Sequence, residues 1–416
     1  MSTSPFPSPS TPISIEGPPK VLLLENIHSS AEEMFRAEGF EVERLKGALK
    51  PEELEQRIQG VHVLGIRSKT NVWEPALAKA PNLLAIGAFC IGTNQVDLKA
   101  ANRHGTPVFN APFSNTRSVA ELVIAEIIML SRQLGDRNRE VHAGQWRKVA
   151  VGSYEVRGKT LGIIGYGHIG SQLGVLAESM GMRVIFHDVM TKLPLGNTRA
   201  TATLDELLAS SDFVTLHVPA TASTEKMMGE AELARMRKGA FLINASRGTV
   251  VDIEALARAI RSGHIGGAAV DVYPEEPETN SDGFTTPLQG LSNVILTPHI
   301  GGSTEEAQAS IGKEVATSLI KFIKSGATTG AVNFPQVETP LIPKTHRILN
   351  VHRNTPGVLR DINRIVSDLN ANIHAQVLST DSNIGYLVMD LDQNVGRPVC
   401  EAIASLQTDI KTRIVT

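Results

Sequence analysis

Residues 159–170, K-T-L-G-I-I-G-Y-G-H-I-G, constrain this chain more than any other stretch. An apolar run from Thr160 to Ile164 leads straight into G-x-G-x-x-G at Gly165, Gly167 and Gly170. The first glycine permits a tight turn, the second lets backbone approach a pyrophosphate, and the third lets helix and strand pack closely. The spacing predicts a strand, that turn, and a helix ending near Gly181, with His168 and Ile169 in its first turn. Such a helix points free N–H groups and its positive dipole end at phosphates. A second apolar run, residues 183–188, closes in a carboxylate. Asp188 lies near the spacing of about 20 residues at which an acid binds a ribose diol. Turn, helix, strand and acid in this order predict a dinucleotide site.

At 416 residues the chain exceeds what one hydrophobic core usually serves, so two or three domains are expected. A net charge of -3 gives no basic footprint for nucleic acid or an anionic membrane surface. No apolar run approaches the roughly 18 residues of a membrane span. Cys90 and Cys400 are the only cysteines, which suits a reducing, cytoplasmic compartment and offers neither a disulfide framework nor a metal site. Cys90, in A-F-C-I-G, reads as a packed thiol. Residues 1–19 are rich in Ser and Pro and carry no Arg or Lys. They lack a signal-peptide core and a basic transit pattern, and a disordered tail is expected.

Strands at residues 20–25, 61–67 and 83–86, with a helix at 31–38, predict a parallel α/β unit. Residues 118–130 are apolar on nearly all sides, so that helix is expected to be buried between domains or subunits. Six strand candidates follow, at 160–165, 183–188, 213–218, 240–244, 267–272 and 293–297, most separated by helical stretches. That is the doubly wound arrangement. In the helix expected at 304–324, Ile311, Val315 and Leu319 share one face. It would cross back to the first unit, leaving the cofactor domain as an insertion. The boundaries expected are 20–116 with 304–325 for a substrate domain, 117–303 for the cofactor domain and 326–344 for a linker. Residues 345–416 read as βαββαβ, a ferredoxin-like domain suited to binding a small regulator.

Ligands of doubly wound sheets bind at the carboxyl ends of the strands. Arg247, Glu276 and His299 each follow one of three successive strands. Each has an ordinary reading: a turn cap, one member of an acidic loop, an exposed imidazole. Their shared placement points instead to one site. Alcohol oxidation removes a proton while hydride goes to nicotinamide, and histidine titrates near neutrality. A carboxylate fixes its tautomer and stabilises the imidazolium. Arginine matches a substrate carboxylate bidentately. Arg67, just past a strand in G-I-R-S-K, suits a second anion.

N-A-S-R-G at 244–248, D-V-Y-P-E-E-P at 271–277 and L-T-P-H-I-G-G at 296–302 resemble the signature blocks of the D-isomer-specific 2-hydroxyacid dehydrogenases. A-P-F-S-N-T-R-S-V-A-E at 111–121 resembles the branch acting on a phosphorylated acid. N-V-H-R-N-T-P-G-V-L at 350–359 resembles the ACT regulatory domain of serine-sensitive members. The resemblance runs from about Lys20 to the carboxyl end. It implies a Rossmann cofactor domain inserted in a flavodoxin-like substrate domain, followed by the ACT domain. It further implies NAD as cofactor, no metal, 3-phospho-D-glycerate as substrate and L-serine as feedback effector. A side reduction of 2-oxoglutarate and a homotetramer belong to the same expectation. Arg247 would bind the substrate's carboxylate and carbonyl, and His299 would be the acid/base with Glu276 as its partner. Gly165, Gly167, His168, Ile169, Gly170, Asp188, His217, Ala245, Ser246, Asp271, Gly301 and Gly302 would complete the cofactor site with Arg247 and His299. Arg67, Ser68 and Asn115 would meet the substrate's phosphate and carboxylate, while His352, Asn354 and Asn372 would hold serine. The alternatives are a related enzyme acting on glycerate or hydroxypyruvate and a NADH-sensing binding protein of the same fold.

Overall fold

The computed structural model describes residues 12–277 and 283–415. The chain forms two compact bodies, Met1–Ser114 with Gln308–Thr416, and Asn115–Ala307. The first opens with a parallel sheet of β1 (Lys20–Leu23), β2 (Glu41–Arg44), β3 (Val63–Ile66), β4 (Ala85–Ala88) and β5 (Val108–Asn110). The spatial order is β2-β1-β3-β4-β5, the flavodoxin-like order expected. Both faces of the sheet are covered, so β3 and β4 are buried throughout and β1 beyond Lys20, whereas edge strand β2 buries only Val42. Leu22, Leu64 and Ile86 enter one core layer; Val21, Leu23, Val63 and Ala85 enter the other. The helix Glu305–Ser325 lays Ile311, Val315 and Leu319 on that second layer. A Cβ at Gly87 would stand 2.7 Å from both Val315 and Leu319, so this strand needs a residue without one.

The second body is an all-parallel sheet of β6 (Thr160–Ile164), β7 (Arg183–His187), β8 (Arg199–Ala200), β9 (Phe213–Leu216), β10 (Phe241–Asn244), β11 (Gly267–Val270) and β12 (Val294–Leu296). Its order, β12-β11-β10-β9-β6-β7-β8, reverses between β6 and β9, the switch point of a doubly wound sheet. The helix Thr116–Arg132 buries Val119, Val123, Ile127 and Leu130 in the core of this same body, against Leu161, Ile243 and Ala269. Its buried apolar residues are thus spent within one body, where the sequence suggested burial between domains or subunits. The following helix, Leu134–His142, buries no residue and carries no strong apolar stripe, which is why periodicity did not reveal it. Among the described residues no helix is long and apolar enough to cross a membrane.

The first body ends in an antiparallel sheet of β13 (Thr345–Arg353), β14 (Ile373–Thr380), β15 (Ile384–Asp392) and β16 (Asp409–Val415), ordered β14-β15-β13-β16. The helices Val358–Asp368 and Gly396–Ala404 cover the face of Ile348, Leu387, Met389 and Leu391. The opposite face is not solvated. Leu349, Val351, Tyr386 and Val388 join the core layer formed by β1, β4 and the Glu305–Ser325 helix. Residues 326–344, expected to be a linker, are packed: Thr328, Phe334 and Val337 are buried, and the Asn333 carboxamide oxygen accepts from the Val108 amide at 2.8 Å. The expected disordered tail lies outside the described residues through residue 11. Beyond it, the Ile13 amide donates to Thr412 O at 2.8 Å, and Ile13 pairs with Arg413 on the β16 edge.

Buried cations bind this sheet to its neighbours. The Arg347 guanidinium grips both Asp390 oxygens at 2.7 Å and donates to the carbonyls of Ser325, Thr339 and Pro340. Removing one member of a buried pair strands the other's charge. Arg347→Ala should therefore lower unfolding free energy by about 3–5 kcal/mol. Urea denaturation followed by circular dichroism checks this; a loss below about 1 kcal/mol would mean that Asp390 finds another partner.

Candidate active site

The turn after β6 has the local geometry its three glycines predict. Gly165 has φ +91°, and a Cβ there would lie 2.4 Å from His217 O. A Cβ on Gly170 would lie 2.3 Å from Gly165 O, so the helix His168–Ser179 sits directly on the turn. At Gly167, by contrast, nothing stands within 4 Å of a Cβ position. Tight packing at the outer glycines and open space at the middle one make a cradle for a diphosphate at a helix N-terminus. Asp188 follows β7 and folds back on the turn. Its oxygens accept from the amides of Tyr166 and Met190, each at 2.8 Å. An ionised carboxylate has about four lone-pair sites, so acceptor capacity for a diol remains. His217, after β9, takes Thr215 Oγ1 as partner at 3.1 Å, and burial pushes its pKa down to about 4. It is therefore a neutral imidazole.

The candidate chemical groups gather at the carboxyl ends of β10, β11 and β12. After β10, the Asn244 carboxamide fastens the turn, accepting from the Ser246 amide and hydroxyl and donating to Arg247 O. The Arg247 guanidinium donates to Ser246 O at 2.7 Å. Gly248 explains how this turn meets the next. A Cβ there would fall 1.9 Å from the Tyr273 carbonyl carbon, a distance no side chain survives. Past β11, Glu276 accepts from the Tyr273 amide with one oxygen and engages His299 Nδ1 with the other at 2.8 Å.

His299 stands at φ +55°, an uncommon conformation for a residue with a Cβ. Asp271, almost wholly buried, holds it there. The His299 amide donates to the Asp271 carbonyl at 2.8 Å. The Asp271 carboxylate accepts from Thr297 Oγ1 and from the amides of Ile300 and Gly301, at 2.7, 2.8 and 2.8 Å. The hydrogen bond from Glu276 raises the His299 pKa; burial and the Arg247 charge oppose it, while the charges of Glu276 and Asp271 assist. For Glu276, burial works against its charge, but the His299 bond, the Tyr273 amide and the nearby His299 and Arg247 charges outweigh that and lower its pKa. With Nδ1 committed to Glu276, Nε2 is the nitrogen left to exchange a proton with a ligand.

Arg247, Glu276 and His299 thus come together, with Ala245, Ser246, Asp271, Gly301 and Gly302 in the turns around them. A Cβ on Gly302 would stand 2.4 Å from Asn115 Nδ2, so Asn115 lies against this same loop. Arg67 and Ser68 belong to the first body, just past β3. There the near-buried Glu25 carboxylate collects the amides of Arg67, Lys69 and Thr70 and shapes the turn. No local pattern reveals this anchor, because Glu25 lies more than forty positions from the amides it binds. Cys90 sits against Gly92 O at 3.1 Å, with Gln95 on its sulfur. In the terminal sheet, Asn354 and Asn372 are exposed. His352, expected to meet the effector directly, is 3% exposed, bonds Asn350 Oδ1 at 2.7 Å and lies over Gly385. Burial pushes it down to about 4.

A family model described as D-isomer specific 2-hydroxyacid dehydrogenase, NAD binding domain, matches residues 124–301. One described as AHAS small subunit-like ACT domain matches residues 348–411. A D-3-phosphoglycerate dehydrogenase of Dictyostelium discoideum is 56% identical over 396 residues, 95% of this chain and 97% of that one. That of Escherichia coli K12 is 55% identical over 364 residues, 87% and 88% of the two chains. A D-lactate dehydrogenase of Aquifex aeolicus, solved with NAD and lactic acid, superposes with a TM-score of 0.66 at 27% identity, covering 76% of this chain and 100% of that one.

If Glu276 sets the basicity of His299, Glu276→Gln should lower the His299 pKa, because burial and Arg247 then act with less opposition. An NMR titration of the imidazole reads this directly, and an unchanged midpoint would contradict the assignment.

Proposed function

The chain belongs to the D-isomer-specific 2-hydroxyacid dehydrogenases, and from that premise we propose that it oxidises 3-phospho-D-glycerate to 3-phosphohydroxypyruvate with NAD. The observation that carries the reading is the His299–Glu276 pair, 2.8 Å apart and within the field of Arg247, at the ends of β10 to β12. His299 Nε2 takes the hydroxyl proton, and Glu276 stabilises the imidazolium that results. Arg247 binds the substrate carboxylate and the charge growing on the reacting oxygen. Bound at the Gly165–Gly170 turn, NAD supplies the acceptor for the hydride that leaves C2. In reduction, protonated His299 returns the proton. Arg67, Ser68 and Asn115 are assigned to the substrate's phosphate and carboxylate.

Positioned acid/base catalysis contributes about 10² to 10⁴ in rate. His299→Ala should lower kcat by about that factor while NADH fluorescence shows near-normal binding. Near-parental turnover would overturn the reading. Comparing 3-phosphoglycerate with glycerate, in the parent and in Arg67→Gln, separates the phosphorylated substrate from its rivals. The parent should strongly prefer the phosphorylated acid, and the variant should lose that preference through KM. No turnover of any hydroxy acid would favour a NADH-sensing protein. Because Asp188 sets a negative charge where a 2′-phosphate would sit, NAD should outperform NADP.

We assign the terminal sheet to feedback control by L-serine, with the exposed Asn354 and Asn372 as contacts and the buried His352 supporting them from behind. Support comes from the ACT-like match over residues 348–411. Deleting the whole sheet would be a poor test, since it would uncover Phe322 and Phe334 in the shared core. Asn354→Ala should instead raise the serine concentration for half-inhibition and leave uninhibited kcat unchanged. A cytoplasmic homotetramer and a side reduction of 2-oxoglutarate complete the proposal; analytical ultracentrifugation and an NADH-consumption assay test them.

A further inference from the structure

Behind the His299 loop the second body buries a carboxyl that the scheme above leaves unused. Glu126 is 2% exposed, and neither of its oxygens has a hydrogen-bond partner among the described residues. It lies on the Thr116–Arg132 helix, one turn beyond Leu122 and two beyond Val119. Those two residues mark where this helix face leads. A Cβ on Gly301 would stand 3.4 Å from Val119 and 3.8 Å from Leu122, and 3.1 Å from Asp271 Oδ2. The face carrying Glu126 therefore runs along Asp271 and the loop that Asp271 holds. The titratable groups facing Glu126 are Asp271, at the end of β11, and Tyr273 just beyond it. Its other neighbours, β10, β12 and the His168–Ser179 helix, contribute Ile243, Ile295 and Leu173 to the surrounding core. Among the described residues, no cation acts on Glu126 itself.

We propose that Glu126 is a positioning residue that works as a neutral acid, its proton keeping a second negative charge away from Asp271, so that Asp271 alone holds the His299 loop. The inference rests on the reading of His299 as proton acceptor. An ionised carboxylate in an apolar pocket must find donors. The amides of Ile300 and Gly301 and the Thr297 hydroxyl, all on Asp271, are donors within this neighbourhood. Ionised Glu126 would compete for them and loosen the backbone that fixes His299. Burial, reinforced by the Asp271 charge, raises the Glu126 pKa to about 8, so the proton is present at neutrality and lost in mild alkali. Tyr273, raised to about 12 by burial and by Asp271 and Glu276, stays neutral through that range.

The oxidation direction isolates the effect. Oxidation uses neutral His299, so rising pH can only help through that residue, and a decline in alkali must come from another group. We would measure kcat for 3-phosphoglycerate oxidation from below neutrality to well above pH 8 in the parent, Glu126→Gln and Glu126→Met. The parent should lose kcat several-fold above about pH 8. Both variants carry a permanently uncharged group. They should keep near-parental kcat at neutrality and lack the alkaline decline, the Met variant serving if the Gln variant fails to fold. An alkaline decline that persists in either folded variant, or no decline in the parent, overturns the proposal. Those outcomes leave the dehydrogenase reading intact if His299→Ala is inactive; an active His299→Ala removes the reading itself.

Discussion

One buried carboxylate organises the turns at the carboxyl ends of β11 and β12. Asp271 collects the Thr297 hydroxyl and two successive amides, while its own carbonyl takes the His299 amide. Four donors on one residue are enough to keep His299 in a left-handed conformation that its side chain disfavours. Without this clamp the imidazole has no fixed direction and Glu276 has nothing to orient. The Gly248 turn matters for a related reason. It brings the backbone of the Arg247 turn against the Tyr273–Pro274 peptide, so guanidinium, carboxylate and imidazole rest on one continuous framework of main-chain contacts. Reactive groups held this way need little reorganisation when charge develops on a ligand.

The cofactor turn was legible because its determinants are local. Gly165, Gly167, Gly170 and Asp188 each answer to a spacing that can be counted, and the geometry at each glycine follows from the missing Cβ. That Arg247, Glu276 and His299 come together was legible for a topological reason: each follows a strand of one parallel sheet, so finding the strands placed the three side by side. What the sequence concealed depends on contacts between distant positions. Glu25 binds amides more than forty residues away, and Glu126 looks in sequence like a polar interruption of an apolar helix. β2, with one buried residue, and three-residue β5 are too short to impose a period. The helix Leu134–His142 has no buried face to reveal it.

The terminal sheet shows how a pattern can be right and its environment misjudged. Leu387, Met389 and Leu391 alternate as a half-buried strand should, and they do face the two helices. Yet Tyr386 and Val388, on the intervening face, are buried as well. Alternation identified the first apolar face; nothing in it identified the tenant of the second. The same oversight made residues 326–344 look like a tether. Their Gly, Thr and Pro content suggests a linker, but Thr328 bonds Pro335 O and the Val337 amide, folding the segment onto itself.

That shared core bears on how such a chain could be altered or inherited. A pendant module can be exchanged for another by joining ends, because only the tether must match. Here Leu349, Val351 and Tyr386 complete the hydrophobic interior of the lobe that carries Arg67. Replacing the sheet with a foreign one would leave that interior without its lid, even if the new sheet folded perfectly well alone. A change on the inner face of this carboxyl-terminal sheet therefore calls for a matching change in the lobe it covers, and exchanging the sheet requires exchanging the surface it rests on.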